Sequence, residues 1–200
     1  MYYFTSDLHL NHTNILKYEP ISRPFETVEE MNETIINNWN SIVKEEDTVF
    51  ILGDLCMGKN TEAAVLVNRL KGKKILIRGN HDSSTRRKIF EKDCGIEIHD
   101  IYYLPYKGRY FVMCHFPIAS EEFLEMVRKD NSEVIMLYGH IHSNAAKGNV
   151  DGTFHVGVDT NELKPISIEE IWKQSWPNAT SEVLEYKARY EDGNKHECDV

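Results

Sequence analysis

The sequence predicts an α/β fold layered around central sheets, and three observations predict it. Short apolar runs rich in Val, Ile, Phe and Tyr alternate with amphipathic stretches along the chain. The length of 200 residues suits one domain, or at most two small ones, and is enough to bury a core without disulfide staples. Hydrophobic residues make up 41%, which argues against wholesale disorder, and no apolar run approaches the ~18 residues that would span a bilayer.

The strand candidates are residues 2–5, 48–52, 74–77, 110–114, 134–138 and 153–156, with 101–104 as a further one. Each is the length of a buried strand. The strongest helix signal covers residues 27–43, where Val28, Met31, Ile35, Trp39 and Ile42 recur at spacings of three and four. Thr27 and Glu30 fit a capping box at its start. Residues 61–70 read as a second helix ended by Gly72. Residues 84–91 and 120–129 read as two more, and 167–175 opens on a second capping box, Ser167 with Glu170. Residues 1–178 are expected to form one domain, and 179–200 a charged tail with little apolar periodicity.

Charge and cysteine content narrow the function. Lys and Arg total 23 against 32 Asp and Glu, a formal net charge of −9. That excess disfavours coating of long duplex nucleic acid by bulk charge but leaves room for a localised site for a phosphorylated ligand. Met-Tyr-Tyr-Phe-Thr-Ser-Asp at the start has no basic region and no long apolar segment, so no secretory signal is read there. Cys56, Cys94, Cys114 and Cys198 form no C-x-x-C pair, and the expectation is of reduced thiols in a cytoplasmic protein. Cys114 alternates away from His115 on its strand and reads as core, as do Trp39 and Trp172 on their helix faces.

In α/β folds ligands sit beyond the carboxyl ends of strands, so the residues after each strand carry the most information. They are Asp7-Leu8-His9, Gly53-Asp54, Gly79-Asn80-His81-Asp82, His115 and Gly139-His140-Ile141-His142. Turn chemistry explains any one Asp, Asn or Gly at such a place. It does not explain metal-binding side chains after five consecutive strands. Carboxylate, imidazole and amide oxygen together suit Mn, Fe, Zn, Co, Ni or Mg rather than a thiolate-preferring site. They point to two ions sharing a bridging carboxylate, in the paired geometry of roughly 3.5–4 Å that polarises a phosphoryl oxygen and activates water. Gly53, Gly79 and Gly139 precede these residues, as a tight backbone path requires.

This ordered set, from Asp7 to His142, resembles the calcineurin-like metallophosphoesterase superfamily, and Ser6-Asp7-Leu8-His9-Leu10-Asn11-His12 with Val156-Gly157-Val158-Asp159 is similar to its small bacterial and phage members. The resemblance implies a four-layer α-β-β-α sandwich, two central mixed sheets flanked by helices. It implies that Asp7, His9 and His142 bind one divalent ion, that Asn80, His115 and His140 bind another, with manganese the first choice, and that Asp54 bridges them. His81 would face the phosphoryl group, and Asp82 would hold its imidazole in one tautomer. The implied chemistry is phosphoester hydrolysis by a hydroxide held between the ions. A phosphodiesterase on small or nucleotide-type substrates comes first. A phosphomonoesterase or protein phosphatase is the alternative, and a non-catalytic protein-binding scaffold is a further one. No membrane partner is expected.

Outside the motifs, His12 either lines the substrate pocket or is an exposed loop histidine. Arg23 either clamps a phosphate or packs against Phe25. Arg78 reads as either a site residue or half of an ion pair, and Arg86, Arg87 and Lys88 as a solvated helix face. His99, His155 and His196 fall outside the motifs, His155 as a structural histidine.

Overall fold

A computed structural model of the chain describes residues 1–117, 134–145, 149–150 and 152–175. Its first sheet has the order β10-β1-β2-β3-β4, from β1 (Tyr2–Thr5), β2 (Thr48–Leu52), β3 (Lys73–Ile77), β4 (Glu97–His99) and β10 (Ile166–Ser167). β1 to β4 run parallel and β10 antiparallel. The second sheet has the order β5-β6-β7-β9-β8, from β5 (Tyr102–Tyr106), β6 (Arg109–Met113), β7 (Val134–Tyr138), β8 (Asn149–Val150) and β9 (Thr153–His155). Its β6, β7 and β9 are parallel, and β5 and β8 flank them antiparallel. Both sheets are therefore mixed. The helices are α1 (Ile15–Tyr18), α2 (Val28–Ile42), α3 (Asn60–Val67), α4 (Ser84–Cys94) and α5 (Ile168–Ser175).

The period-2 pleat of the first sheet sorts its side chains into two cores. Tyr3, Val49, Ile51 and Leu76 face a cluster with Met31, Ile35 and Trp39 of α2, Ala63 and Val67 of α3 and Phe90 of α4. Phe4, Phe50, Leu52, Ile75 and Ile77 face the other way, onto Phe111, Met113, Ile135, Leu137 and Phe154 of the second sheet and Ile171 and Trp172 of α5. Strands buried on both faces read as the unbroken apolar runs seen in the sequence. The Phe4 ring stacks between Phe50 and Phe111, with centroids 5.4 and 5.9 Å away, and so ties the two sheets together.

The expected elements form with small shifts of boundary. The capping box of α2 is complete: Glu30 N–H donates to Thr27 Oγ1 at 3.2 Å and Thr27 N–H to Glu30 Oε2 at 3.4 Å. α3 stops at Val67, because the chain tightens there into turns in which Arg69 N–H donates to the Leu66 carbonyl and Leu70 N–H to that of Val67. α4 runs on to Cys94, where Gly95 takes the left-handed C-cap position that a glycine supplies. The single turn of α1 and the strands β4, β8 and β10 are too short to show a periodicity and leave no signal in the sequence. The expected helix over 120–129, the tail over 179–200, Cys198 and His196 lie outside the described residues. No helix among those described is long and apolar enough to cross a membrane.

Candidate metal centre

Parallel strands of the two sheets end on one side of the molecule, and a bridge from Ser6 to Gly157 joins the sheets there. The loops that leave these ends carry Asp7, His9, Asp54, Asn80, His115, His140 and His142. The backbone is bent to aim them: Asp7, His9, Asp54, His140 and His142 have φ of 56°, 48°, 55°, 72° and 50°. Left-handed φ costs a non-glycine residue energy that the surrounding fold must supply, and such residues concentrate at functional sites. Glycine plays two roles here. Gly53, at φ +88°, needs the left-handed region itself, whereas Gly139 is required for space, because a Cβ there would strike Ser6 and the Asp7 carboxylate.

Two groups of potential ligand atoms converge, Asp7 with His9 and His142, and Asp7 with Asp54 and His115, each within 4.8 Å. Asp7 is common to both groups, and Asp54 Oδ2 is 3.6 Å from His9 Nε2 of the first and 3.6 Å from His115 Nε2 of the second. The other Asp54 oxygen accepts the His81 N–H at 2.8 Å. Asn80 Oδ1 is 2.8 Å from His115 Nε2 and 3.0 Å from His140 Nδ1, so these three side chains also meet at one point.

The donor set fits divalent cations. Asp7 Oδ2 is satisfied by the Ser6 hydroxyl at 2.6 Å and the His140 N–H at 2.8 Å. Asp7 Oδ1 and His9 Nε2, both buried, have no hydrogen-bond partner among the described residues. Unpartnered polar atoms this deep are rare unless something else satisfies them, and both belong to one cluster. Burial pushes the Asp7 carboxyl up, although His142, His115 and the Ser6 hydroxyl pull it back. Burial, then the charge on Arg23 and neighbouring imidazoles, depress His9 to about 2. A bound cation reverses the penalty on the carboxylate and needs the imidazole neutral.

Two functional residues escaped the sequence reading, and a third has a different role from the one expected. Asp159 appeared only within a motif, yet its Oδ2 is 2.8 Å from His142 Nδ1. That is the carboxylate–histidine pairing that orients a metal-binding imidazole. Ser6, which holds Asp7, was equally silent, since a serine after a strand has no distinctive spacing. Arg23 is no phosphate clamp. It is 1% exposed, and its guanidinium donates to Asp159 through Nε at 2.7 Å and Nη2 at 2.9 Å, to the Asp7 carbonyl at 2.6 Å and to the Leu8 carbonyl at 2.9 Å. Burial alone would raise the Asp159 carboxyl, but Arg23 and His142 outweigh it and hold it well below the usual carboxylate range.

Asp82 also departs from expectation. Its carboxylate accepts the backbone N–H groups of Asp54 at 2.9 Å, Gly79 at 2.8 Å and Leu55 at 3.3 Å, rather than holding the His81 ring. It splices the loops after β2 and β3. His81 is exposed at the mouth, its ring 5.4 Å from that of His9 and 6.2 Å from that of His12. Arg86 ties down the Cys56 and Gly58 carbonyls at 2.8 Å each, and Arg78 pairs with Asp100 on the surface at 3.0 Å. Cys56, beside the site, is pushed up to about 12 by burial, so its thiol stays protonated and offers no competing thiolate.

His155 behaves as a structural histidine, with Nδ1 2.9 Å from Thr160 Oγ1. Burial pushes its imidazole down to about 4, against roughly 6.5 in the unfolded chain. As pH falls from about 6.5 towards about 4, only the unfolded chain takes up this proton, so stability held at neutral pH is lost. At about 1.4 kcal/mol per pH unit the loss is of order 3 kcal/mol. In His155→Gln the urea midpoint is expected to decline less over that window; an equal decline would assign the acid sensitivity to other groups.

Sheets, loops and ligand cluster together define a metal-dependent phosphoester hydrolase. The chain belongs to the calcineurin-like phosphoesterase family, whose model matches residues 2–196. It is 36% identical over 178 residues to the uncharacterized protein MJ1445 of Methanocaldococcus jannaschii, covering 86% of this chain and 89% of that one. It is 28% identical over 193 residues to the gene 66 protein of Mycobacterium phage D29, covering 82% and 91%. Among solved structures, the protein of unknown function AQ665 from Aquifex aeolicus superposes with a TM-score of 0.68 at 30% identity, covering 86% of this chain and 98% of that one.

Proposed function

We propose that this chain is a phosphodiesterase acting on small or nucleotide-type substrates with two divalent ions. Asp7, His9 and His142 would hold one ion and Asn80, His115 and His140 the other, with Asp54 shared. The observation that carries the reading is the position of Asp54 Oδ2, equidistant at 3.6 Å from a histidine nitrogen of each group. Bound ions would polarise the phosphoryl oxygens and lower the pKa of a coordinated water; manganese is our first choice and Fe, Zn, Ni, Co and Mg suit the same donors.

The protein's own residues orient and anchor the site. Asp159 keeps His142 Nε2 facing the cluster, and the Leu52 carbonyl does the same for His115 through Nδ1 at 2.7 Å. With Nδ1 of each ring engaged by an acceptor, Nε2 keeps its lone pair. Leu8, Leu10 and Leu55, which neighbour Asp7, His9 and Asp54 in sequence, are fully buried in the core and anchor the loops that carry those residues. His81, fixed through its backbone N–H on Asp54 and with no hydrogen bond at its ring among the described residues, would donate a hydrogen bond to a phosphoryl oxygen or a proton to the leaving oxygen.

The rim favours a substrate with an aromatic moiety. Phe116 is 41% exposed and its ring packs edge-on to His115 and His140, at 4.9 and 4.8 Å. Tyr18 is 68% exposed with its ring 6.4 Å from His12. Exposed aromatic faces beside a phosphate site offer stacking worth ~1–3 kcal/mol per base. The test is a manganese-loaded assay with an aryl phosphate monoester and the matching diester, followed by a cyclic-nucleotide panel. Higher kcat/KM on the diester supports the proposal, and preference for the monoester would turn the reading to a phosphomonoesterase.

A further inference from the structure

Each histidine that would bind an ion through Nε2 has a partner on Nδ1, and one partner differs in kind. His115 Nδ1 meets the Leu52 carbonyl and His142 Nδ1 meets the Asp159 carboxylate, at 2.7 and 2.8 Å. Both partners can only accept, so each leaves its histidine one tautomer. His9 Nδ1 instead meets another imidazole nitrogen, His12 Nδ1, at 3.1 Å. Two nitrogens at that distance need one hydrogen between them, and either ring can supply it.

The rest of the site decides which. His9 Nε2 is buried, 3.6 Å from Asp54 Oδ2, with no hydrogen-bond partner among the described residues. To bind a cation it must carry its lone pair, which puts the His9 hydrogen on Nδ1. His12 Nδ1 must then accept, and the His12 hydrogen must sit on Nε2. We propose that His12 is a positioning residue, which accepts the His9 Nδ1 hydrogen and so fixes the tautomer in which His9 offers Nε2 to a divalent cation. The role rests on the two-ion reading above and assigns His12 to the protein's own ligand rather than to substrate. Its ring is half-buried with centroid 5.0 Å from that of His9, near enough to lock the ring as well as its hydrogen.

Two replacements separate acceptor from bulk. In His12→Asn the amide oxygen stands close to where Nδ1 was and can accept the same hydrogen. His12→Phe keeps a ring but no acceptor. Binding of Mn²⁺ alone, without substrate, is followed by calorimetry on the full chain. Loss of a partner behind a ligand weakens affinity by about 10- to 100-fold, so His12→Phe is expected to weaken one binding step by that factor. His12→Asn is expected to stay within about threefold of wild type. In the Zn-loaded wild type, long-range ¹H–¹⁵N spectra of the imidazoles are expected to show His12 protonated at Nε2 and His9 at Nδ1. Unchanged Mn²⁺ affinity in His12→Phe, or a His12 hydrogen on Nδ1, would overturn the proposal while leaving the two-ion reading intact. A wild type that binds no Mn²⁺ would overturn both.

Discussion

Asp54→Asn is expected to slow hydrolysis by about 10³-fold while leaving the fold in place. The amide oxygen can still accept the His81 N–H that Asp54 Oδ1 accepts at 2.8 Å, so the loop keeps its shape. What disappears is the charge that stands 3.6 Å from both His9 Nε2 and His115 Nε2. Losing several kcal/mol of charge stabilisation at the reacting phosphoryl group, at about 1.4 kcal/mol per decade, lowers kcat on the order of 10³-fold. The stability readout runs the other way. Asp54 is a like charge near Asp7 and raises the Asp7 carboxyl, so the ion-free variant should be as stable as wild type or more so. Added Mn²⁺, which stabilises wild type by binding only the folded state, should raise its Tm far less. Thermal melts with and without Mn²⁺, beside the rate, check both parts; retained hydrolysis would remove Asp54 from the centre of the site.

Arg23→Met is expected to give the largest loss of stability. Methionine keeps the stem's volume but leaves the Asp159 carboxylate buried without its cation, and the Asp7 and Leu8 carbonyls without their donors. Breaking a buried pair from one side costs about 3–5 kcal/mol, measurable as a shift in urea denaturation. Adding Asp159→Asn removes the stranded charge, so the double variant should recover much of the loss. It should not recover metal affinity, because His142 then lacks its carboxylate partner. A double variant no more stable than Arg23→Met would show that the carboxylate is not the source of the cost.

The longer strands are legible in the sequence, because strands buried on both faces read as apolar runs and the loops after them carry side chains of one chemistry; their order within the two sheets is not, since it depends on pairings between distant segments. α2 was legible down to its capping box, since both partners lie within three residues of each other. The support behind the candidate ligands was not. Arg23 and Asp159 are 136 residues apart, and no local period couples them; alone, an arginine on a loop at the ligand end of the sheets reads as a phosphate clamp. Asp82 is a similar case: a carboxylate beside a histidine in sequence reads as its partner, but in space it binds the backbone N–H groups of Asp54, Leu55 and Gly79. The left-handed φ of Asp7, His9, Asp54, His140 and His142 also leaves no mark in composition. The glycines that flag such loops stand beside the strained residues rather than at all of them.

The two-ion reading meets its most direct test in a crystal grown with Mn²⁺ and measured at the manganese absorption edge. Two anomalous peaks are expected, one among Asp7, His9 and His142 and one among Asn80, His115 and His140, with a single Asp54 oxygen touching both. One peak, or two with no shared Asp54 oxygen, would contradict it.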